Sequence, residues 1–224
     1  MIGDIYQFIV YQPLLNTLVF LYEYLPGKDF GIAIIALTIF VRILLYPLSA
    51  KAFKAQLAMA ELQPKLKELQ SQLKNNKDEL NRRTLALFRE KRVNPLSMLF
   101  PLLVQLPILL ALFQLFRSPP ESISPMFFGI LDLSARSIPI AVLSAVSQLA
   151  QGKFAAPSSQ ATGGKNVFAT KTATHLFSLF TGFIMLTLPS AVGLYWISTN
   201  LFSVWQQWHL SRKLKAQSSN VKTA

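Results

Sequence analysis

FGIAIIALTIFVRILLYPLS, residues 30–49, is the stretch on which the reading of the fold turns. A helix that crosses a bilayer needs about 20 mostly apolar residues, and this run supplies them with one interruption, Arg42. Further along, residues 95–116 form a second apolar run, free of charge. Residues 138–151 form a third, shorter run that reaches spanning length with a few flanking residues. Residues 172–208 contain no Lys, Arg, Asp or Glu and are long enough for two passes, with Pro189-Ser190 as the natural turn. The expected fold class is an all-α integral membrane protein. Its centre is a five-helix transmembrane bundle with spans at about 30–49, 95–116, 138–153, 172–188 and 190–209.

Composition agrees with a lipid solvent. Only 14% of the 224 residues are charged, where a soluble domain carries about a quarter. The absence of cysteine removes disulfides, thiolate nucleophiles, cysteine metal sites and a lipidated-cysteine anchor from consideration. The net charge of +12 fits anionic lipid or RNA equally well, so its placement matters more than its total.

Basic residues orient the spans, because cytosolic loops collect them. Segment 51–93 holds Lys51, Lys54, Lys65, Lys67, Lys74, Lys77, Arg82, Arg83, Arg89, Lys91 and Arg92. Segment 152–171 adds Lys153, Lys165 and Lys171, and the tail adds Arg212, Lys213, Lys215 and Lys222. Lys28, Arg117 and Arg136 fall on the other side. With five spans the N-terminus is expected outside and the C-terminus in the cytosol. Segment 1–28 is apolar and aromatic, but Asp4, Gln7, Gln12, Pro13 and Asn16 interrupt it. It is expected to lie on the external face as an interfacial amphipathic helix; the alternative, a sixth span, would move only the N-terminus. Neither a transit peptide nor a cleavable signal is visible in it. The core is expected over 29–210, followed by a short basic cytosolic tail, 211–224.

Segment 51–93 has the pattern of a cytosolic helical hairpin. Leu62, Leu66, Leu69 and Leu73 recur at helical spacing, Asn75-Asn76 offers a turn, and Leu80, Leu87 and Phe88 offer a facing stripe. Lys74, Lys77, Arg82 and Arg83 cluster around the turn. Such a charge run is either a plain solvated face or a docking surface for a ribosome, a targeting receptor or anionic headgroups. Segment 152–170, with Pro157, Gly163 and Gly164, reads as a loop.

Arg42 is the most informative residue. At about 1.5 Å per residue it lies about 18 Å along the helix from Phe30 and about 13 Å from Lys51. So deep an arginine costs a few kcal/mol. It either snorkels to the headgroups or faces a wet cavity within the bundle, and its depth favours the cavity. Gln105, Gln148, Gln151, Ser198, Thr199 and Asn200 are the polar side chains that other spans could add there. No span contains an acidic residue, so no permanent intramembrane salt bridge can hold Arg42. What remains is a positive charge available to a transient anionic guest. Enzyme readings find no support: there is no HExxH, GxSxG or Walker lysine loop, and His175 and His209 stand alone. No catalytic residue, metal site or cofactor is expected.

Four separated stretches resemble one family. GIAIIALTIFVRILLYPLSAKAFKAQLAMAELQPKLKELQ (31–70) resembles the first core span and hairpin of YidC/Oxa/Alb-type membrane protein insertases, and Arg42 falls where their groove arginine falls. VNPLSMLFPLLVQLPILLALFQLF (93–116) is similar to their next span, including Asn94-Pro95 and Gln105-Leu106-Pro107. FFGILDLS (127–134) is similar to their external segment and GLYWISTNLFSVWQQW (193–208) to their last span. A short form is expected, without the external soluble domain and extra N-terminal span of many Gram-negative members. Only 16 residues follow Trp208, which argues against the ribosome-binding tail of some members.

The resemblance implies a membrane insertase and chaperone of the bacterial plasma (inner) membrane that works without nucleotide hydrolysis. Its polar groove would be open to cytosol and lipid and closed to the outside. Arg42, Gln105, Trp196, Asn200 and one or both of Gln148 and Gln151 would line it. Partners implied are newly made membrane proteins, with a ribosome, a targeting receptor and a Sec channel as further candidates beside anionic lipids; DNA is not among them. Two rival readings stay open. A small anion transporter or channel would use Arg42 for a solute, although no internal repeat marks one. A scaffold would bind partners through the basic hairpin alone.

Overall fold

The computed structural model describes residues 2–74, 76–91, 93–94, 100–154 and 171–222. It is mostly helical. Helix α1 (Ile2–Tyr6) passes through a π-helical turn (Gln7–Tyr11) into α2 (Gln12–Tyr24). Pro13 explains that turn, because it cannot donate to the carbonyl four residues back and the wider turn absorbs the lost bond. Then follow α3 (Phe30–Leu44), α4 (Tyr46–Gln72), α5 (Lys77–Glu90) and α6 (Phe100–Arg117). A two-residue antiparallel ladder, β1 (Met126–Phe127) with β2 (Leu131–Asp132), precedes α7 (Ile138–Phe154), α8 (Lys171–Met185) and α9 (Ser190–Lys222).

Among the described residues no single helix is long and apolar enough to cross a membrane; α3 and α4 pass such a test together, but they are bent by 65°. The apolar helix expected over 30–49 therefore ends early, at Leu44. The cause is local. Pro47 has no N–H for the carbonyl of Ile43 and crowds it, so Leu45 leaves helical geometry and the chain turns before the expected hairpin begins. The turn expected at Pro189-Ser190 occupies the gap between Met185 and Ser190, with Ser190 opening α9. Asn75, the start of the 95–116 run and most of the loop at 152–170 lie outside the described residues.

Helix α9 is the hub. It packs on α3, α6, α7 and α8, while α7 also packs along α8 and α2 along α3. Small residues allow these approaches. A Cβ on Gly193 would stand 2.4 Å from Ile140, and one on Gly182 would stand 3.0 Å from Ala145. The main core gathers at the end of the molecule that carries the β ladder. Leu18, Phe30, Ile34, Phe116, Ile123 and Leu133 are buried there, and the rings of Phe30 and Phe116 meet edge to face at 6.0 Å.

That end is tied together by hydrogen bonds. Asp29 caps α3 by accepting from the Ile32 N–H at 2.9 Å, and its second oxygen accepts from the Phe128 N–H in the turn of the ladder. Phe128 and Gly129 take the left-handed backbone at φ 50° and 67°, a conformation costly for a phenylalanine and here held by the carboxylate. Phe127 lies flat on Gly31, where a Cβ would fall inside its ring. Ser190 donates from its N–H and its hydroxyl to the Ala135 carbonyl, and the Ala191 N–H reaches Leu133 O at 2.9 Å.

The opposite end carries α4 and α5. Met59, Leu62 and Leu66 are buried against Leu87, Phe88 and Val93. Of the expected stripe, Leu69, Leu73 and Leu80 are only half-buried. The side-chain amide of Gln206 donates to Ser49 Oγ at 2.7 Å, and Leu210 packs on Phe53, which fastens α9 to the first turns of α4.

Candidate functional site

The sequence-chosen residues fall into two polar clusters on different faces of α9. The first joins α3, α6 and α9. Arg42, half-buried, points its guanidinium at the Gln105 side-chain oxygen at 3.4 Å. The Gln105 amide nitrogen in turn donates to the hydroxyl of buried Tyr195. The chain Arg42–Gln105–Tyr195 thus sets the Gln105 carbonyl toward the arginine and its NH2 toward the phenol. No carboxylate pairs with Arg42 among the described residues. Arginine has five N–H donors, so most of the fork is left for another acceptor.

The second cluster joins α7 and α9. Gln148 Oε1 accepts from Trp196 Nε1 at 2.9 Å and from Asn200 Nδ2 at 3.3 Å. Asn200 also donates to Ser147 Oγ at 3.0 Å, and the Gln148 amide donates to Gln151 Oε1 at 3.3 Å. Gln148 and Asn200 are buried; Gln151 is half-buried one turn further on. Both glutamines therefore belong to one network, and Gln148, whose Oε1 accepts twice, is its centre. Between the clusters, one turn from Tyr195, Thr199 is buried with no partner for its hydroxyl.

Two participants escaped the sequence reading. Tyr195 looks like an ordinary core aromatic, and only its hydroxyl in an apolar helix hints that a partner is needed. Ser147 had a clearer signal, since Ser144, Ser147, Gln148 and Gln151 form a polar stripe at helical spacing. Lys74, Lys77, Arg82 and Arg83 are exposed far from both clusters. Arg83 is engaged by Glu79 at 2.7 Å, and that bond holds the Glu79 carboxyl below its ordinary pKa.

An apolar cavity of about 400 Å³ lies between α6, α8 and α9, lined by Leu109, Phe113, Phe180, Ile184, Val192 and Trp196. Leu109 is one turn along α6 from Gln105, and Trp196 borders both the cavity and the Gln148 network. Beyond it the helices are clad in exposed apolar side chains, including Leu106 and Leu110 on α6, Leu179 and Phe183 on α8, and Leu201 on α9. A few polar side chains are buried while large apolar ones cover much of the outside, which is not how a soluble surface is built.

An apolar exterior on a helical molecule is that of an α-helical membrane protein. More specifically, residues 20–217 match the model of the 60Kd inner membrane protein family, and the chain belongs to that family. It is 33% identical over 206 residues to a membrane protein insertase YidC from Geotalea uraniireducens (strain Rf4), covering 91% of this chain and 37% of the relative. The protein of the same name from Syntrophus aciditrophicus (strain SB) is 34% identical over 205 residues, 90% of this chain and 36% of the relative. That from Francisella tularensis subsp. novicida (strain U112) is 34% identical over 192 residues, 84% and 33%. The chain thus spans about a third of the length of the curated relatives it matches.

Proposed function

We propose that the chain is a membrane protein insertase: it draws the short hydrophilic tail of a client protein into a polar groove around Arg42 and releases the client's apolar segment sideways into lipid. The observation that carries this reading is the arginine itself, placed among apolar helices and met by a neutral amide instead of a carboxylate. An anionic or carbonyl-rich tail is the guest such a fork accepts. The adjoining apolar cavity and the exposed apolar face of α8 offer a path for a hydrophobic segment beside the polar one. The sealed β-ladder end and the lighter α4–α5 end support a groove reached from the hairpin side.

The driving force is partition. Leucine-like residues gain a few tenths of a kcal/mol each in the membrane, so about 20 of them suffice without nucleotide. The protein lowers the barrier by sheltering polar groups that hydrocarbon would leave unsatisfied at several kcal/mol each. In this reading the five apolar segments span the bilayer, the N-terminus is external, the C-terminus is cytosolic, and the α4–α5 hairpin docks a ribosome, a targeting receptor or anionic headgroups through its basic face. An interfacial N-terminal helix is supported by two contacts near the ladder end: the Tyr22 hydroxyl accepts from the Ser124 N–H at 3.1 Å, and the Tyr6 hydroxyl reaches Gln114, still near the ladder end of α6, at 3.4 Å. A span antiparallel to α3 would have carried Tyr6 to the depth of Arg42.

The decisive experiment reconstitutes the purified chain in liposomes and follows insertion of a single-span test protein. Insertion well above that into protein-free liposomes is expected; equal rates would overturn the proposal. Lys74→Cys reactive only from the cytosolic side, and Glu121→Cys only from outside, would establish the orientation.

A further inference from the structure

We infer that the outward face of α9 between Leu201 and Arg212 binds the headgroup phosphate of an anionic phospholipid in the leaflet next to the α4–α5 hairpin. On this face the rings of Phe202 and Trp205 stand 5.3 Å apart, and His209 stacks on Trp205 at 5.8 Å with only 19° between planes. The Arg212 guanidinium lies over the Trp208 ring, 4.0 Å from its centroid. These side chains are not core: Trp205 is 50% and Trp208 45% exposed, and His209 and Arg212 are exposed beside them. The other side of the same turns is fixed, because Gln206 holds Ser49 and Leu210 packs on Phe53.

A guanidinium held over an indole by its central carbon still has N–H donors to offer, and its fork fits two phosphate oxygens in parallel. His209, three residues earlier and on the same face, adds a donor backed by its own indole. Among the described residues no carboxylate pairs with Arg212, and the sequence contains no Asp or Glu after Asp132. A phospholipid suits the face better than RNA because of what lies beside the donors. Leu201 is exposed on the same helix, and from Trp205 to Arg212 is about 10 Å at the helical rise. The partner must offer hydrocarbon at one end of that span and a phosphate at the other. The inference rests on the membrane placement of α9 and does not require insertase activity.

The test uses the full chain in lipid nanodiscs and its own tryptophan fluorescence. Two preparations carry the same mole fraction of brominated lipid, one as phosphatidylglycerol and one as phosphatidylcholine. A single basic side chain at an anionic surface favours the anionic lipid roughly five-fold, so brominated phosphatidylglycerol should quench clearly more. Arg212→Gln should remove most of that preference, Arg212→Lys should keep part of it, and His209→Gln should weaken it. Equal quenching by the two lipids in the unsubstituted protein would overturn the inference. So would an undiminished preference in Arg212→Gln, or an Arg212→Gln effect confined to RNA binding. Insertion measured on the same chain separates the two proposals: lipid preference without insertion counts against the insertase reading alone.

Discussion

The two polar clusters on α9 use similar side chains to opposite ends. Around Gln148 the indole of Trp196, the amides of Asn200 and Gln148, and the hydroxyl of Ser147 all meet acceptors in a neutral network between α7 and α9. Around Arg42 a charged fork meets one amide oxygen at 3.4 Å and is otherwise open. In a low-dielectric interior a satisfied network rigidifies, and an unsatisfied charge stays receptive. In the proposed reading the Gln148 cluster is thus a clasp between helices and the Arg42 cluster a receptor, although both were drawn from the same kind of sequence signal.

The largest expected effect comes from emptying the receptor. Arg42→Ala should lower insertion of a client with an acidic tail by roughly ten- to a hundredfold, since a hydrogen bond to a charged group is worth about 1.5–3 kcal/mol. A matched neutral-tailed client should lose much less. Arg42→Lys keeps the charge without the fork and should preserve most of the activity. The Ala variant should stay folded, because it removes an unpaired charge from the apolar interior. Equal losses for both clients would erase the distinction between the clusters.

Opening the clasp should act on stability instead. Gln148→Leu leaves the Trp196 N–H and an Asn200 N–H without their acceptor, and each orphaned buried group costs about 1–3 kcal/mol. The melting temperature of the protein in detergent should fall, and acidic and neutral clients should suffer alike. A Gln148→Leu variant with normal stability and a selective defect on acidic tails would make Gln148 part of the receptor. The exposed basic residues provide a third contrast. Reversing Lys74, Lys77, Arg82 and Arg83 to Glu should weaken ribosome or anionic-liposome binding, most at low ionic strength where screening is weakest. The acidic-to-neutral client ratio should not move, as these side chains lie far from Arg42.

What the sequence made legible follows the strength of the physical penalty behind each signal. Arg42 stood out because a charge in an apolar run is expensive, but Gln105 was only one of six polar side chains that other spans could add beside it. The break at Leu45 was encoded in Tyr46-Pro47, but an apolar tally cannot see a missing N–H. Gln148 and Gln151 looked interchangeable by spacing, and only packing against Trp196 and Asn200 separated the buried centre from the half-buried edge. Tyr195 was hidden because tyrosine is at home in any core. Asp29 as the latch of the β ladder was hidden for a different reason: the Phe128 N–H it holds lies 99 residues away, and no local pattern reports such a contact.

The smallest effect tests how far the receptor is prearranged. Tyr195 makes no direct hydrogen bond to Arg42; it takes the Gln105 N–H and so presents the Gln105 carbonyl to the guanidinium. Tyr195→Phe keeps the ring and its packing and removes only the acceptor. Gln105 is then free to turn, but Arg42 still attracts its carbonyl, so the pair re-forms with less restraint. A neutral hydrogen bond nets about 0.5–1.5 kcal/mol, and only part of that is at stake once the arginine supplies its own orientation. Insertion of acidic-tailed clients should therefore fall by a few-fold at most, neutral-tailed insertion should hold, and thermal stability should change little. In Gln105→Leu the same hydroxyl has lost its donor already, so adding Tyr195→Phe should have no further effect on insertion. A full additional loss in the double variant would show that Tyr195 touches the client directly and that the receptor extends along α9.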